Sequence, residues 1–94
     1  MEQFNFQNLT GLKDQKVTVK VSDDIQCELT IKEIVKNSLD GDEWESFSVF
    51  LTGDDSFHLD QGTYTLSNDQ FGEQALFLSP KSALEYEIVV NRQR

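Results

Sequence analysis

Hydrophobic and polar positions alternate with a period of two along most of the chain. Val17, Val19 and Val21 alternate with Lys16, Thr18 and Lys20, which predicts a half-buried strand over 16–22. Asp23-Asp24 predicts a short turn. Ile25, Cys27, Leu29 and Ile31 then alternate with Gln26, Glu28, Thr30 and Lys32, so the two runs predict a hairpin. The phase slips at Ile34, and a bulge near Lys32–Ile34 accounts for the slip. After a polar turn at 37–43, residues 44–52 predict a strand with Phe47, Val49 and Leu51 on one face. Phe50 lies on the other face, as for a strand covered on both sides. Gly53-Asp54-Asp55 is a turn, and residues 61–66 predict a strand with Tyr64 and Leu66 facing alike. Residues 67–72 predict a turn or a single helical turn, with Ser67 as cap and Gly72 as exit. Residues 74–79 predict a strand that Pro80 ends, and residues 84–91 a last one with Tyr86, Ile88 and Val90 on one face.

Only the start of the chain departs from this period. Phe6 and Leu9 are spaced for about one helical turn, with Asn5 as cap and Gly11 as exit. Such a turn is too short to stand alone, so it is expected to fold over one end of a sheet. No run of ten or more residues has helical period, which excludes α/β folds. The expected fold is all-β: a small antiparallel β-barrel or sandwich of six to seven short strands, with one short N-terminal helical turn, in a single domain over 1–94.

Charge changes the picture. The 94 residues carry 17 acidic and 8 basic side chains, net −9. Residues 1–39 and 74–94 are each within one unit of neutral, and the stretch 40–73 holds nine acids and no Lys or Arg. Direct nucleic-acid binding through phosphate contacts is disfavoured by that sign. Acidic loops that only keep the domain soluble account for the stretch. So does a docking surface for a basic partner. The run from Asp42 to Glu45 lacks the glycine and distal glutamate of a calcium loop. Carboxylates can also mimic DNA, as in small acidic inhibitors of DNA-binding enzymes, although such chains usually spread acids over their whole length. Trp44, standing among Asp42, Glu43 and Glu45, either covers a barrel end or edges a contact patch.

Little catalytic chemistry is present. One Cys excludes an internal disulfide, and one His with one Cys makes a zinc site untenable. No GxSxG, P-loop, GxGxxG or HExxH pattern occurs. Cys27 and His58 are the only candidate nucleophile and base. Cys27 reads as a small inward residue, and His58 as a surface histidine two residues from Asp60. No cofactor or metal is expected, and the protein reads as non-enzymatic. The segment MEQFNFQNLTGLKDQ has no basic n-region and no apolar h-region, and no apolar run approaches a membrane span, so the expected location is cytoplasmic.

Five segments in order resemble a family of small uncharacterised bacterial domains of about 90–100 residues. They are F-x-x-L-x-G-L at Phe6–Leu12, S-F-S-V-F at Ser46–Phe50, Q-G-T-Y-T-L at Gln61–Leu66, F-G-E-Q-A-L-F-L-S-P at Phe71–Pro80 and Y-E-I-V-V-N at Tyr86–Asn91. Ile88 stands where that family usually has Ala, and the acidic middle is more extreme than its pattern. Members look like companions of phage-tail-collar-type proteins, which implies an accessory part in a tail-like or surface assembly and incorporation into a phage-like particle. The expected function is a structural or accessory interaction module. It would dock a protein partner, tail-collar-like or with a basic surface, through Asp40, Asp42, Glu43, Trp44, Glu45, Asp54, Asp55 and Asp60. The alternative is an acidic inhibitor that mimics nucleic acid and blocks a DNA- or RNA-binding enzyme. An edge strand such as 84–91 would also allow pairing between copies, giving a homo-oligomer.

Overall fold

A computed structural model describes residues 4–93. One helical turn, α1 (Phe6–Thr10), precedes six strands: β1 (Lys16–Lys20), β2 (Gln26–Lys36), β3 (Trp44–Thr52), β4 (Gly62–Asn68), β5 (Gly72–Pro80) and β6 (Glu85–Gln93). All pairings are antiparallel, and the ring runs β1-β2-β3-β6-β5-β4 before β4 closes on β1. The architecture is therefore a closed barrel of six strands, which removes most of the edge that an open sheet would expose.

The ring has two ends. At the first pole lie α1, the β2–β3 turn and the β4–β5 turn. At the second lie the β1–β2 turn, the loop from Gly53 to Gln61 and the β5–β6 turn. Alternation fills the interior: Val17, Val19, Leu29, Ile31, Phe47, Val49, Leu51, Leu66, Leu76, Leu78, Tyr86, Ile88 and Val90 are all buried there. Each such burial is worth roughly 1.5–3 kcal/mol, which is what holds a chain of this size together. Phe4, Leu9, Leu12 and Phe71 plug the first pole, and Leu59 with half-buried Phe57 plugs the second.

The bulge falls where the phase slip puts it. Ile31 faces Leu51 and Glu33 faces Phe50, so Lys32 is the extra residue and Ile34 turns inward opposite Val49. The helical turn is also as the spacing predicts: Asn8 N–H donates to Asn5 Oδ1 at 2.8 Å, and Gly11 ends it. Its Leu9 is fully buried under the barrel mouth.

Three expectations are corrected. Val21 and Ile25 do not face the core but are 39% and 58% exposed, because β1 ends at Lys20 and Val21 N–H bonds Ile25 O in a turn that overhangs the second pole. The segment after Leu66 is not a helical turn capped by Ser67. Strand β4 continues through Asn68, whose Oδ1 accepts from Gln70 N–H, and Gly72 leaves the turn at φ +76°, a conformation suited to glycine. The stretch 84–91 is not an outer edge, since β6 lies between β3 and β5 in the ring.

Its two sides are nonetheless unequal. All nine residues of β6 pair with β3, from Glu85↔Thr52 to Gln93↔Trp44. Against β5 the register is only Ser79↔Glu87 and Pro80↔Tyr86, next to the second pole. From there to the first pole the two strands run on without a ladder between them.

Candidate functional site

The eight residues expected to form one acidic docking face are divided between the two poles. Asp40, Asp42, Glu43, Trp44 and Glu45 sit at the β2–β3 turn, and Asp54, Asp55 and Asp60 in the loop after β3. The nine-residue β3 separates the groups by roughly 26 Å at about 3.3 Å per residue.

Within the first group, two carboxylates hold the fold. Asp40 Oδ1 accepts Ser46 N–H at 3.0 Å, its Oδ2 lies 3.9 Å from Lys36 Nζ, and its side chain is only 12% exposed. Glu45 shares the inward phase of Phe47, Val49 and Leu51. Its Oε1 accepts Arg92 Nε–H at 2.6 Å and its Oε2 accepts Phe6 N–H at 3.3 Å. Asp42 and Glu43 are exposed at the turn, beside half-exposed Trp44 on the outward phase of β3.

The second group is built differently. Asp54 accepts both Ser56 N–H and Ser56 Oγ–H, and these two bonds hold its carboxyl below the usual carboxylate range. Asp55 and Asp60 are exposed, and the Asp60 carbonyl accepts Tyr64 OH at 2.7 Å.

Cys27, His58 and Asp54 line one shallow groove of about 580 Å³ at the second pole, with Val21, Ile25 and Phe57. The arrangement does not activate the thiol. Burial first, and the Asp54 charge second, push the Cys27 thiol up, which keeps it protonated and a poor nucleophile. His58 Nδ1 lies 3.4 Å from Ala83 O and its ring stands 6.0 Å from that of Tyr86. Among the described residues no group of three or more His, Cys, Asp or Glu side chains could hold a metal ion. No described helix is long and apolar enough to cross a membrane.

One feature escaped the sequence reading. Val35 faces Ser48, and Ser48 faces Val89. On β5, Phe77 faces Thr63. Val35, Val89 and Phe77 stand on outward phases of their strands and are 39%, 52% and 51% exposed, while Ser48 between Val35 and Val89 is buried. The signal was present as three apolar residues on polar phases.

A family profile described as a domain of unknown function, DUF6916, matches residues 4–90. The chain belongs to the DUF6916 family. The matched span takes in α1, β1 to β5 and β6 as far as Val90. No curated protein and no solved structure matches the chain.

Proposed function

We propose that this DUF6916 domain is a non-catalytic docking module that holds a protein partner with a basic surface within a larger assembly. The observation that carries this reading is the tip of the β2–β3 turn, where exposed Asp42 and Glu43 stand beside half-exposed Trp44. Two neighbouring carboxylates steer a cationic partner, and an indole supplies the aromatic anchor that interface centres favour. The rest of the design agrees with it. Side chains fill the barrel and plug both poles, so the outer surface is what the domain offers a partner. The resemblance of Phe71–Pro80 and its companion segments to tail-collar companions makes a tail-like or surface assembly the first place to look for that partner.

The test is capture from the native host at moderate salt, read by mass spectrometry and followed by titration of the purified partner. The baits are wild type, Asp42→Lys/Glu43→Lys/Trp44→Ala, and Asp54→Lys/Asp55→Lys/Asp60→Lys. The reading requires loss of the partner with the first variant, retention with the second, and unchanged melting in both. Equal capture by all three baits would remove the first-pole tip from consideration. Capture of a nuclease or other nucleic-acid enzyme, displaced by duplex DNA, would put the mimic in its place.

A further inference from the structure

We infer that the second-pole groove, between the start of β2 and the 54–59 loop, docks an extended segment of another protein that carries aliphatic and basic side chains. The inference concerns a different surface from the first-pole tip and does not rest on that reading.

Three observations meet in the groove. The first is an unpaired strand edge. Register between β2 and β3 begins only at Thr30↔Thr52, so Gln26–Glu28 pair with β1 on one side and with no strand on the other. The phase of the ladder decides which groups are left over. Val21 N–H donates to Ile25 O and Ile31 N–H donates to Gln15 O, so the odd-numbered residues of 25–31 bond toward β1. Gln26 and Glu28 therefore turn their N–H and C=O the other way, toward the groove. Among the described residues no backbone or side-chain group bonds them there.

The second observation is apolar surface. Val21 and Ile25 are 39% and 58% exposed where they line the groove, and half-buried Phe57 lines it from the loop. The Phe57 ring is seated on the barrel: a Cβ at Gly53 would fall 3.0 Å from it and 3.1 Å from Leu29 Cδ2. The third is charge. Asp54 and Glu28 line the groove, and no Lys or Arg does. Glu28 has Lys16 Nζ at 3.8 Å. Asp54 takes both Ser56 bonds on Oδ1, and its Oδ2 has no partner among the described residues. Around the pole, exposed Asp23, Asp24, Asp55, Asp60 and Glu85 outnumber Lys20 and Lys81, and Lys81 Nζ is held by Glu87 at 2.8 Å.

These features choose the occupant. A free strand edge asks for a peptide main chain, which supplies the donors and acceptors that Gln26 and Glu28 lack. Val21, Ile25 and Phe57 ask for an aliphatic side chain, and the Asp54 carboxylate for a Lys or Arg close to it. The groove volume of about 580 Å³ lies within the roughly 300–1,000 Å³ of ordinary ligand sites. This chain's own run of such composition, Lys16–Lys20, is already paired with both β2 and β4, so a second copy is the poorer source.

The probe is the peptide acetyl-TRVRVT-amide, titrated into the isotope-labelled domain and followed by backbone NMR. The expected result is saturable shifts centred on residues 21–28 and 53–59, half complete below about 1 mM. Acetyl-TEVEVT-amide, which reverses the charge, and acetyl-TRSRST-amide, which removes the aliphatic groups, should each bind about fivefold more weakly or worse. Asp54→Asn and Val21→Thr/Ile25→Thr, all at exposed positions, should each weaken binding of the first peptide by a similar factor. Methylating both valine amides, or both arginine amides, strips the donors from one edge of the peptide; one form should lose binding and the other keep it. Asp42→Lys/Glu43→Lys should leave binding unchanged, which separates failure here from failure of the first-pole reading. No shifts at about 1 mM peptide, shifts away from the groove, or undiminished binding by the acidic peptide, by Asp54→Asn or by both methylated forms would overturn the inference. Sedimentation showing a dimer that Ile25→Lys dissociates would replace the segment by a second copy and overturn the stated occupant.

Discussion

Arg92 donates Nε–H to Glu45 Oε1 at 2.6 Å inside the first-pole mouth of the barrel, with side chains only 26% and 13% exposed. Each partner then holds the first described residues: Arg92 Nη2–H donates to Phe4 O at 2.9 Å, and Glu45 Oε2 accepts Phe6 N–H. Phe4 packs edge-on against Phe71 and tilted against Phe47, so the pair positions the aromatic plug of that pole.

Arg92→Ala should therefore cost more than a surface ion pair. It leaves a shielded Glu45 carboxylate and a Phe4 carbonyl each short of a partner. The expected loss is about 1–3 kcal/mol, or roughly 5–20 °C in Tm for a domain of this size. Thermal melts of wild type, Arg92→Ala, Glu45→Gln and the double variant decide it. The double variant should be milder than the sum of the singles, and strict additivity would show that the pair does not act as a unit.

A buried hydroxyl gives the second prediction. Leu59 N–H donates to Tyr86 Oη at 3.0 Å, and both residues are buried. Tyr86→Phe keeps the ring and orphans the amide. The expected cost is about 1–3 kcal/mol by denaturant unfolding with the slope m unchanged. A cost near zero would mean that water reaches the second-pole plug.

The third prediction concerns acid. Hydrogen bonding to Lys81 first, with Ser48 and the Lys81 charge adding to it, holds the Glu87 carboxyl below its ordinary value. Lys81 Nζ lies 2.8 Å from Glu87 Oε1, and the glutamate side chain is 14% exposed. A depressed folded pKa contributes stability that is present above the unfolded value, about 4.3, and lost as pH falls through the folded one. Wild type should thus exceed Glu87→Gln in Tm at pH 7, with the gap narrowing below about pH 4.3. A gap that is constant from pH 7 to pH 3 would show that charge is not its source.

Thiol reactivity supplies the fourth. With Cys27 pushed up by burial and by Asp54, alkylation at pH 8 should be slower than for a free cysteine peptide. Asp54→Asn should speed it only slightly, because burial is the larger cause. Reaction as fast as the peptide would contradict the half-buried placement of the thiol.

Much of the barrel was legible because its code is local. Val17, Val19, Phe47, Val49, Leu51, Tyr86, Ile88 and Val90 alternate without a break, and all are buried. The bulge at Lys32 was legible for the same reason, as a slip in that alternation. Val21 and Ile25 failed because their period continues past the point where β1 stops pairing. Glu45 is the instructive case. Its phase matches Phe47 and Arg92 matches Val90, so both could have been placed inside the mouth, but their charge argued for solvent. The division of the acidic residues was not legible for a different reason: neighbours in sequence on either side of a nine-residue strand become opposite ends of a barrel. Ring closure lies in pairings between distant strands that no local pattern records.

The hydrogen bond from Arg92 to Phe4 joins residues 88 positions apart, so the described chain closes on itself almost end to end. During synthesis the first-pole plug has no completed seat until β6 has left the ribosome. Strand β3 likewise waits for its full-length partner. Few stable partial folds are available to such a chain, and its folding should be a single late event, on the millisecond-to-second scale of non-local β topologies. The same proximity suits the described domain to permutation: a short linker from residue 93 back to residue 4, with an opening at the exposed Ser22–Asp24 turn, should give a ring of the same strands.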